Sequence, residues 1–230
     1  VNHIPGEKAA VSNGDIPLKF TADIHEVTYT RVAGNGFEEN DEVGVFALVG
    51  SSTMKEERYA DNLRFFRTSE KVFESSEPIY YPDDEVTLRL ISYYPYQEEG
   101  VNMGESTMSV AVETDQNLSA GYFCSDFLVA SQNLQSAPKG AIALHYDHKF
   151  FKLKIALVGK EGEELQGILD ADPKLSVCGF YTKAVYDFQK ETYSAFSNEK
   201  SITPAGKWEI QGDRLSGKEV ILIPQEATLG

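Results

Sequence analysis

The sequence predicts an all-β protein with two β-sandwich domains in tandem. Many short segments alternate apolar and polar residues or are rich in β-branched and aromatic types, turn residues separate them, and no window keeps a helical period of the usual length. The chain has 230 residues, and a domain usually takes about 100–150. A hydrophobic fraction of 41% indicates a folded chain with a core of its own.

The first domain is predicted at residues 16–135, after a flexible leader at residues 1–15 that has no periodicity. Its first strand begins at Ile16, and apolar and polar residues alternate from there to Ala22. The other segments predicted as strands are residues 27–30, 42–48, 63–67, 72–73, 85–94 and 107–113. Their short spacing is typical of a sandwich.

The second domain is predicted at residues 136–230, because residues 131–140 combine Gln and Ser with Pro138 and Gly140 and so have the composition of a linker. Its predicted strands are residues 141–146, 151–157, 175–180, 184–188, 208–210 and 219–223. Strand 151–157 alternates so regularly that we expect one of its faces to contact solvent. Residues 161–169 have room for one helical turn.

A formal net charge of −15 and a pI near 4.7 describe an acidic chain, in which Lys and Arg residues are scattered. Nucleic acids and anionic membrane surfaces are bound by clustered cations, so neither is expected as a partner. No stretch approaches the roughly 20 apolar residues of a membrane span, and none resembles a signal peptide. Because the chain starts at Val1 rather than Met, we expect any export signal or lipid anchor to lie upstream.

Two cysteines, Cys124 and Cys178, lack the spacing of a zinc site or of a CxxC redox motif. They either form one long-range disulfide or are separate small residues of the core. Sequence alone does not establish pairing, and the second interpretation is favoured.

No arrangement of residues predicts a catalytic site. A nucleophile needs a neighbouring base, and the chain has no GxSxG elbow, no phosphate-binding glycine loop and four histidines in all, which are His3, His25, His145 and His148. The paired acidic residues lie in turns and do not indicate carboxyl groups that face each other across a cleft. We therefore expect no enzyme activity and no cofactor.

The string from His145 through Asp147 to His148 is the candidate for a metal site. Residues three apart in a strand or turn face different directions, and no further cluster supplies the remaining ligands. This segment is therefore interpreted as a polar strand end, and no metal site is predicted. Asp41 with neighbouring carbonyls offers the oxygen ligands that Ca²⁺ prefers, but EF-hand spacing is absent.

Tyrosines cluster at Tyr93, Tyr94 and Tyr96. Adjacent residues of a strand point to opposite faces, so some of these rings are expected to be exposed and able to bind. A monomeric surface protein that binds a glycan or a host protein through them is the alternative function. Core packing and cross-strand pairs are the simpler account of such residues in a sandwich.

Several strings occur in a fixed order along the chain. They are the strand and loop at residues 18–38, the strand at residues 41–47, Pro78-Ile79-Tyr80-Tyr81-Pro82, Ser92-Tyr93-Tyr94-Pro95-Tyr96, Ser125-Asp126-Phe127-Leu128-Val129-Ala130, His148-Lys149-Phe150-Phe151-Lys152-Leu153 and Ile223-Pro224-Gln225. Over residues 16–225 this ordered set resembles the fimbrillin-like and Mfa-like surface proteins of Bacteroidales, which are pilin-type subunits.

The resemblance implies two transthyretin-like β-sandwich domains, export as a lipoprotein, and assembly into a pilus or its tip on the outer membrane surface. Other pilin subunits are the implied partners. Members of this family usually continue past the Pro-Gln motif, whereas this chain stops at Gly230. The second sandwich is therefore expected to lack its last strands.

The resemblance also implies how subunits join. In that family a trypsin-like protease cuts after an Arg near the first strand, and a strand of a neighbouring subunit fills the hydrophobic groove that the lost strand leaves. Arg31 is the matching position, although an ordinary exposed Arg fits there as well. The core-facing residues of the displaced strand would be Ile16, Leu18, Phe20, Ala22 and Ile24.

Overall fold

The structure, a computed structural model, describes residues 17–25, 36–82 and 86–226. It is nearly all β, and the predicted all-β class is confirmed. The strands are β1 (Phe20–Ile24), β2 (Glu42–Val49), β3 (Ala60–Arg67), β4 (Phe73–Glu74), β5 (Leu88–Tyr94), β6 (Thr107–Ala111), β7 (Leu128–Leu134), β8 (Ile142–His148), β9 (Phe151–Val158), β10 (Tyr181–Asp187), β11 (Thr192–Glu199), β12 (Glu209–Gln211) and β13 (Arg214–Leu222).

Two short helices interrupt the strands. Helix α2 (Leu165–Asp170) overlaps the segment predicted to hold a helical turn, whereas α1 (Ser119–Cys124) was not predicted. Both are single short elements of six residues. No helix in the described part of the chain is long and apolar enough to span a bilayer.

The described residues form two compact units that interleave along the chain. The first takes the residues up to Met108, Phe127–His148 and Asp187–Glu191, and the second takes Ser109–Asp126, Lys149–Tyr186 and the residues from Thr192 onward. The expected boundary between residues 135 and 136 falls inside the first unit, between β7 and β8. Strand β8, predicted to open the second domain, lies in the first unit.

In the first unit the strands close into a barrel in the order β1-β4-β3-β2-β5-β7-β8. Neighbouring strands are antiparallel except β1 and β8, which are parallel. Central strand β2 is buried at six consecutive residues, Val43 to Leu48. Its Val43, Val45 and Ala47 belong to the barrel core, because alternate residues share a face.

The other face of β2 carries a second cluster within the first unit. The ring of Phe46 stacks on that of Tyr93 with centroids 5.8 Å apart, and Phe188 meets both rings edge-on. The guanidinium of Arg58 lies 5.2 Å from the centre of the Phe46 ring. Because both faces of β2 are covered, its sequence is apolar from Val43 to Val49 rather than alternating.

Gly44 is required where β2 passes the Tyr93 side chain. The two residues are opposite in the β2–β5 ladder, and a Cβ at residue 44 would lie 2.2 Å from Cε1 of the tyrosine. We expect Gly44→Ala to lower the free energy of unfolding by about 1–3 kcal/mol, since the buried ring has to move. Urea denaturation measures this.

A matched control is Gly140→Ala, because a Cβ there meets no atom within 4 Å. That change should stay within about 0.5 kcal/mol. Equal effects of the two substitutions would contradict the packing argument.

The second unit contains two three-stranded sheets, ordered β11-β10-β6 and β12-β13-β9. Strands β13 and β9 pair antiparallel from Leu222↔Phe151 to Arg214↔Val158. Buried Gln116 acts like a short piece of strand beside β13: its amide nitrogen donates to the Ile221 carbonyl (2.9 Å) and its amide oxygen accepts from the Ile221 N–H (2.8 Å). A buried amide thus satisfies both backbone groups of one residue.

Strand β9 forms where it was predicted, but both of its faces reach solvent. Phe151 and Leu153 are each 40% exposed, although only one face of the strand was expected to contact solvent. Lys152 on the other side is mostly buried over the Tyr122 ring and lies 3.9 Å from Glu219. A long lysine stem can cover apolar surface in this way, which the alternation alone does not reveal.

Candidate functional site: the first strand of the barrel

Strand β1 closes the barrel, and its backbone is held mainly by β8. The parallel register runs from Phe20↔Ile142 to Ile24↔Tyr146, whereas the pairing with β4 is limited to Phe20↔Phe73. Ile142 N–H donates to the Lys19 carbonyl at 2.8 Å. One strand therefore covers most of the hydrogen-bonding edge of β8.

Just before β1 the chain is also fixed on its other side. Leu18 N–H donates to the Ile79 carbonyl at 2.8 Å, and Pro17 forms an antiparallel bridge with Tyr80. These contacts fix the position of the chain where it enters the barrel.

The inner face of β1 carries the residues that the sequence assigned to it. Leu18 and Phe20 are 4% and 1% exposed, and the partly buried Ala22 and Ile24 pack against the same core. Ile16 lies outside the described residues. The period-2 pattern thus delivers every second side chain of this segment to the core.

Phe20 is the centre of an aromatic cluster. Its ring centroid lies 5.0 Å from those of Phe65 and Phe73, and it is stacked on the second. Phe37 contacts Phe73 edge-on at 5.2 Å and Tyr146 at 5.0 Å. Burial of one such ring stabilises by about 1.5–3 kcal/mol, and each good aromatic pair adds about 0.5–1.5 kcal/mol.

The outer face of β1 is polar and exposed. Lys19 Nζ lies 2.6 Å from Glu74 Oε1, and both side chains are more than a third exposed. His25 and Asp23 contact side chains of β8 on the same face. Exposed pairs of this kind contribute little to stability, about 0–1 kcal/mol each. The strand is therefore held chiefly by its backbone bonds and its inner face.

The family is decided by a comparison with protein-family models. The fimbrillin-like model matches residues 30–230. The chain belongs to the fimbrillin-like family. This confirms the resemblance seen in the sequence, and a comparison with curated proteins found no match.

Solved structures resemble this fimbrillin-like chain in fold. A protein assigned to cell adhesion from Bacteroides ovatus has a TM-score of 0.68 at 16% identity, covering 93% of this chain and 80% of its own. A second from Bacteroides uniformis has a TM-score of 0.61 at 20% identity over 93% and 75%. A fimbrial protein from Bacteroides vulgatus has a TM-score of 0.53 at 17% identity over 90% and 77%.

The three tyrosines named for the alternative function differ in exposure in the fimbrillin-like chain. Tyr93 is fully buried, its hydroxyl donates to Asn62 Oδ1 at 2.7 Å, and burial raises its pKa. Its assignment as an exposed binding ring is therefore wrong. Tyr94 is half-buried with its ring 5.4 Å from that of Phe37, and Tyr96 is half-buried.

Other predicted positions have structural roles or lie outside the described chain. Arg31 is among the residues that the structure does not describe. Asp41 Oδ2 accepts a hydrogen bond from Glu38 N–H at 2.6 Å inside a turn, and burial raises its pKa. Cys124 and Cys178 are unpaired, but both are exposed, so the expectation of core residues was wrong. A small thiol is apolar enough for a core without being confined to one.

One polar cluster of this fimbrillin-like chain joins the segment predicted as a polar strand end to the first strand. Asp23 and His25 of the β1 segment meet His145 and Asp147 of β8, 122 residues further along the chain. The signal was present as two mirrored triplets, Asp-x-His and His-x-Asp. Their meeting depends on the parallel pairing of β1 and β8.

Proposed function

We propose that this protein is a non-enzymatic fimbrial subunit or adhesin at the outer membrane surface, joined to neighbouring subunits by exchange of its first strand. Proteolysis after Arg31 releases β1, and a strand of another subunit takes its place. The observation that carries the proposal is that a single short strand, β1, closes the barrel over an aromatic core. The family and the fimbrial and adhesion proteins of similar fold support the cell-surface role.

The surface that β1 covers has the chemistry of a strand acceptor. We call it the first-strand groove and define it by the edge of β8 and the side chains of Phe65, Phe73 and Leu144. Without β1, backbone N–H and C=O groups along β8 lose their partners, and apolar side chains contact water. Strand addition to such an edge gains main-chain hydrogen bonds, and alternate side chains fill the pockets.

The donor strand must reproduce the pattern of the strand it replaces. Leu18, Phe20, Ala22 and Ile24 require apolar residues at every second position, with the largest opposite Phe73. The residues between them face outward and are free to be polar, as Thr21 is. A register shift by one residue would turn polar side chains into the core, so the groove selects one register.

The alternative function, glycan or host-protein binding by tyrosines, loses its basis in part. Tyr93 is inside the fold, and Tyr94 packs against Phe37. Stacking on a sugar needs an open ring face. Strand exchange is therefore the function that the geometry supports best.

The experiment follows the first strand after cleavage. The 230-residue chain is treated with trypsin and then mixed with a fluorescent peptide of residues 17–25. We expect fluorescence anisotropy to rise as the peptide enters the groove and the resident fragment leaves. Mass spectrometry identifies the cut and the fragment released.

Two controls make this result specific. A peptide with the same composition but scrambled order should not enter, because its apolar residues no longer alternate. Uncut Arg31→Ala protein should not exchange, because its first strand stays covalently attached. Exchange that is absent after a cut at Arg31, or that is equally fast with the scrambled peptide, would overturn the proposal.

A further inference from the structure

Two imidazoles and two carboxylates meet on the outer face of the β1–β8 pair. Asp23 is opposite His145 in the parallel register, and His25 and Asp147 follow two residues later on their strands. One ligand atom from each of Asp23, His25 and His145 lies within 4.8 Å of the others. Parallel pairing of the mirrored triplets thus places a histidine and an aspartate of each strand in one patch.

The contacts inside this patch are reciprocal between the strands. His25 Nδ1 lies 2.8 Å from Asp147 Oδ1, and His145 Nδ1 lies 2.5 Å from Asp23 Oδ1. The two rings are stacked, with centroids 5.5 Å apart and planes 6° apart. An ionised carboxylate only accepts, so each Nδ1–H donates, and a neutral ring then carries its lone pair on Nε2.

We propose that this patch is a binding site for a divalent transition metal of the zinc class. Asp23, His25 and His145 are the ligands, and Asp147 orients the His25 ring through its hydrogen bond. Two imidazoles and a carboxylate suit Zn²⁺, whereas Mg²⁺ and Ca²⁺ prefer oxygen ligands alone. With three protein ligands, water completes the coordination.

The side chains have the freedom that coordination requires. Tetrahedral zinc with bonds of about 2.0–2.1 Å holds its ligand atoms about 3.4 Å apart. The ligand atoms already lie within 4.8 Å of one another, and the four side chains are between 50% and 63% exposed, so they have room to rotate between staggered conformers without disturbing the core. The net charge of −15 favours cations near the surface.

Two hydrogen-bonded histidine–aspartate pairs without a metal are the competing account of the patch. In that case each Nδ1–H donates to its carboxylate as described, the rings lie stacked 5.5 Å apart, and each Nε2 faces solvent rather than an ion. A metal ion binds both rings in the neutral form and uses the carboxylates to balance its own charge. Saturable binding of Zn²⁺ distinguishes the two accounts.

Metal binding would join β1 to β8, because each strand supplies at least one ligand. An ion that binds only the paired state stabilises that state, by an amount that rises with the logarithm of its concentration once this exceeds Kd. If strand exchange occurs as proposed above, bound zinc slows the release of β1. This consequence rests on the proposed function. The site itself does not depend on that function.

Isothermal titration calorimetry tests the site. The full chain, without a histidine tag and treated with EDTA, is titrated with ZnCl₂ and separately with MgCl₂. We expect one Zn²⁺ per chain and no saturable binding of Mg²⁺. His25→Asn and His145→Asn should each lower the affinity for Zn²⁺ at least tenfold, and Asp147→Asn should lower it by about tenfold, as the loss of an orienting partner does.

The matched control is His148→Asn. His148 follows Asp147 on the same strand, so its side chain points to the opposite face, and the affinity should be unchanged. Circular dichroism confirms that each variant is folded. Absent or unsaturable zinc binding, or the same loss in the control as in His25→Asn, would overturn the site.

Amide hydrogen exchange measures whether zinc stabilises the pairing of β1 with β8. Amides of β1 and β8 should exchange at least tenfold more slowly with Zn²⁺ in the unaltered chain and show no change in His145→Asn. If zinc binds without slowing amide exchange, the stabilisation of the β1–β8 pair by zinc is refuted, whereas the zinc site itself stands. Because neither measurement uses cleaved protein, failure of peptide exchange would count against the proposed function alone.

Discussion

Replacement of Phe20 by alanine lowers the free energy of unfolding by about 3–5 kcal/mol. The ring is 1% exposed and lies 5.0 Å from the rings of Phe65 and Phe73, so its loss leaves a cavity lined by aromatic groups. Urea denaturation followed by far-ultraviolet circular dichroism measures the change. It is the largest effect expected from any single residue of β1.

Thr21→Ala is the control on the same strand. Its side chain is exposed, so the cost should stay below about 1 kcal/mol. The Phe20→Ala substitution should also affect strand release. After cleavage, the first-strand fragment that carries it should leave the groove faster than the fragment of the unaltered chain. An effect of Phe20→Ala no larger than that of Thr21→Ala would show that β1 is not anchored by its inner face.

Replacement of Arg58 by alanine costs about 3–5 kcal/mol. The side chain is fully buried, and all five of its N–H groups have acceptors. Nε donates to the carbonyl of Met54, Nη1 to Asp61 Oδ1 and the carbonyl of Val101, and Nη2 to the carbonyls of Asn102 and Glu105. Truncation leaves one carboxylate and four carbonyls without this partner.

Arg64→Ala is the matched control for Arg58. It removes an arginine paired with Glu42 at 2.8 Å, but the arginine side chain is 58% exposed, so the cost should be below about 1 kcal/mol. Arg58→Lys should recover little of the loss, because an ammonium group has three donors and cannot match a planar set of five acceptors. Thermal unfolding of the three variants measures the order, and similar melting temperatures for Arg58→Ala and Arg64→Ala would contradict it.

The alternation of apolar and polar residues predicted the core-facing side chains of β1 correctly. Leu18, Phe20, Ala22 and Ile24 share a face because side chains of a strand alternate whatever the strand pairs with. Strands β2 and β5 were recognised for a similar reason, since runs of Val, Leu and Ile bounded by turns fit a buried sheet. These are local properties, and a single sequence contains them in full.

Exposure of the tyrosines was not predictable in the same way. Neighbours in a strand face opposite sides, but which side meets solvent depends on what covers each face. Tyr93 faces outward from the barrel, yet Phe46 and Phe188 pack against it within the first unit. Phe188 lies 95 residues away in the sequence and gave no local indication of this contact.

The sequence by itself determined that this protein is all β, which residues of each strand share a face, and the family to which it belongs. Only the tertiary structure decided that β1 closes a barrel by pairing in parallel with β8, that strand β8 belongs to the first unit, and that His25 meets His145. The physical reason is the range of the interactions. Alternation and turns act between neighbours in the chain, whereas the partner of an edge strand is chosen by the whole set of strands competing for that edge.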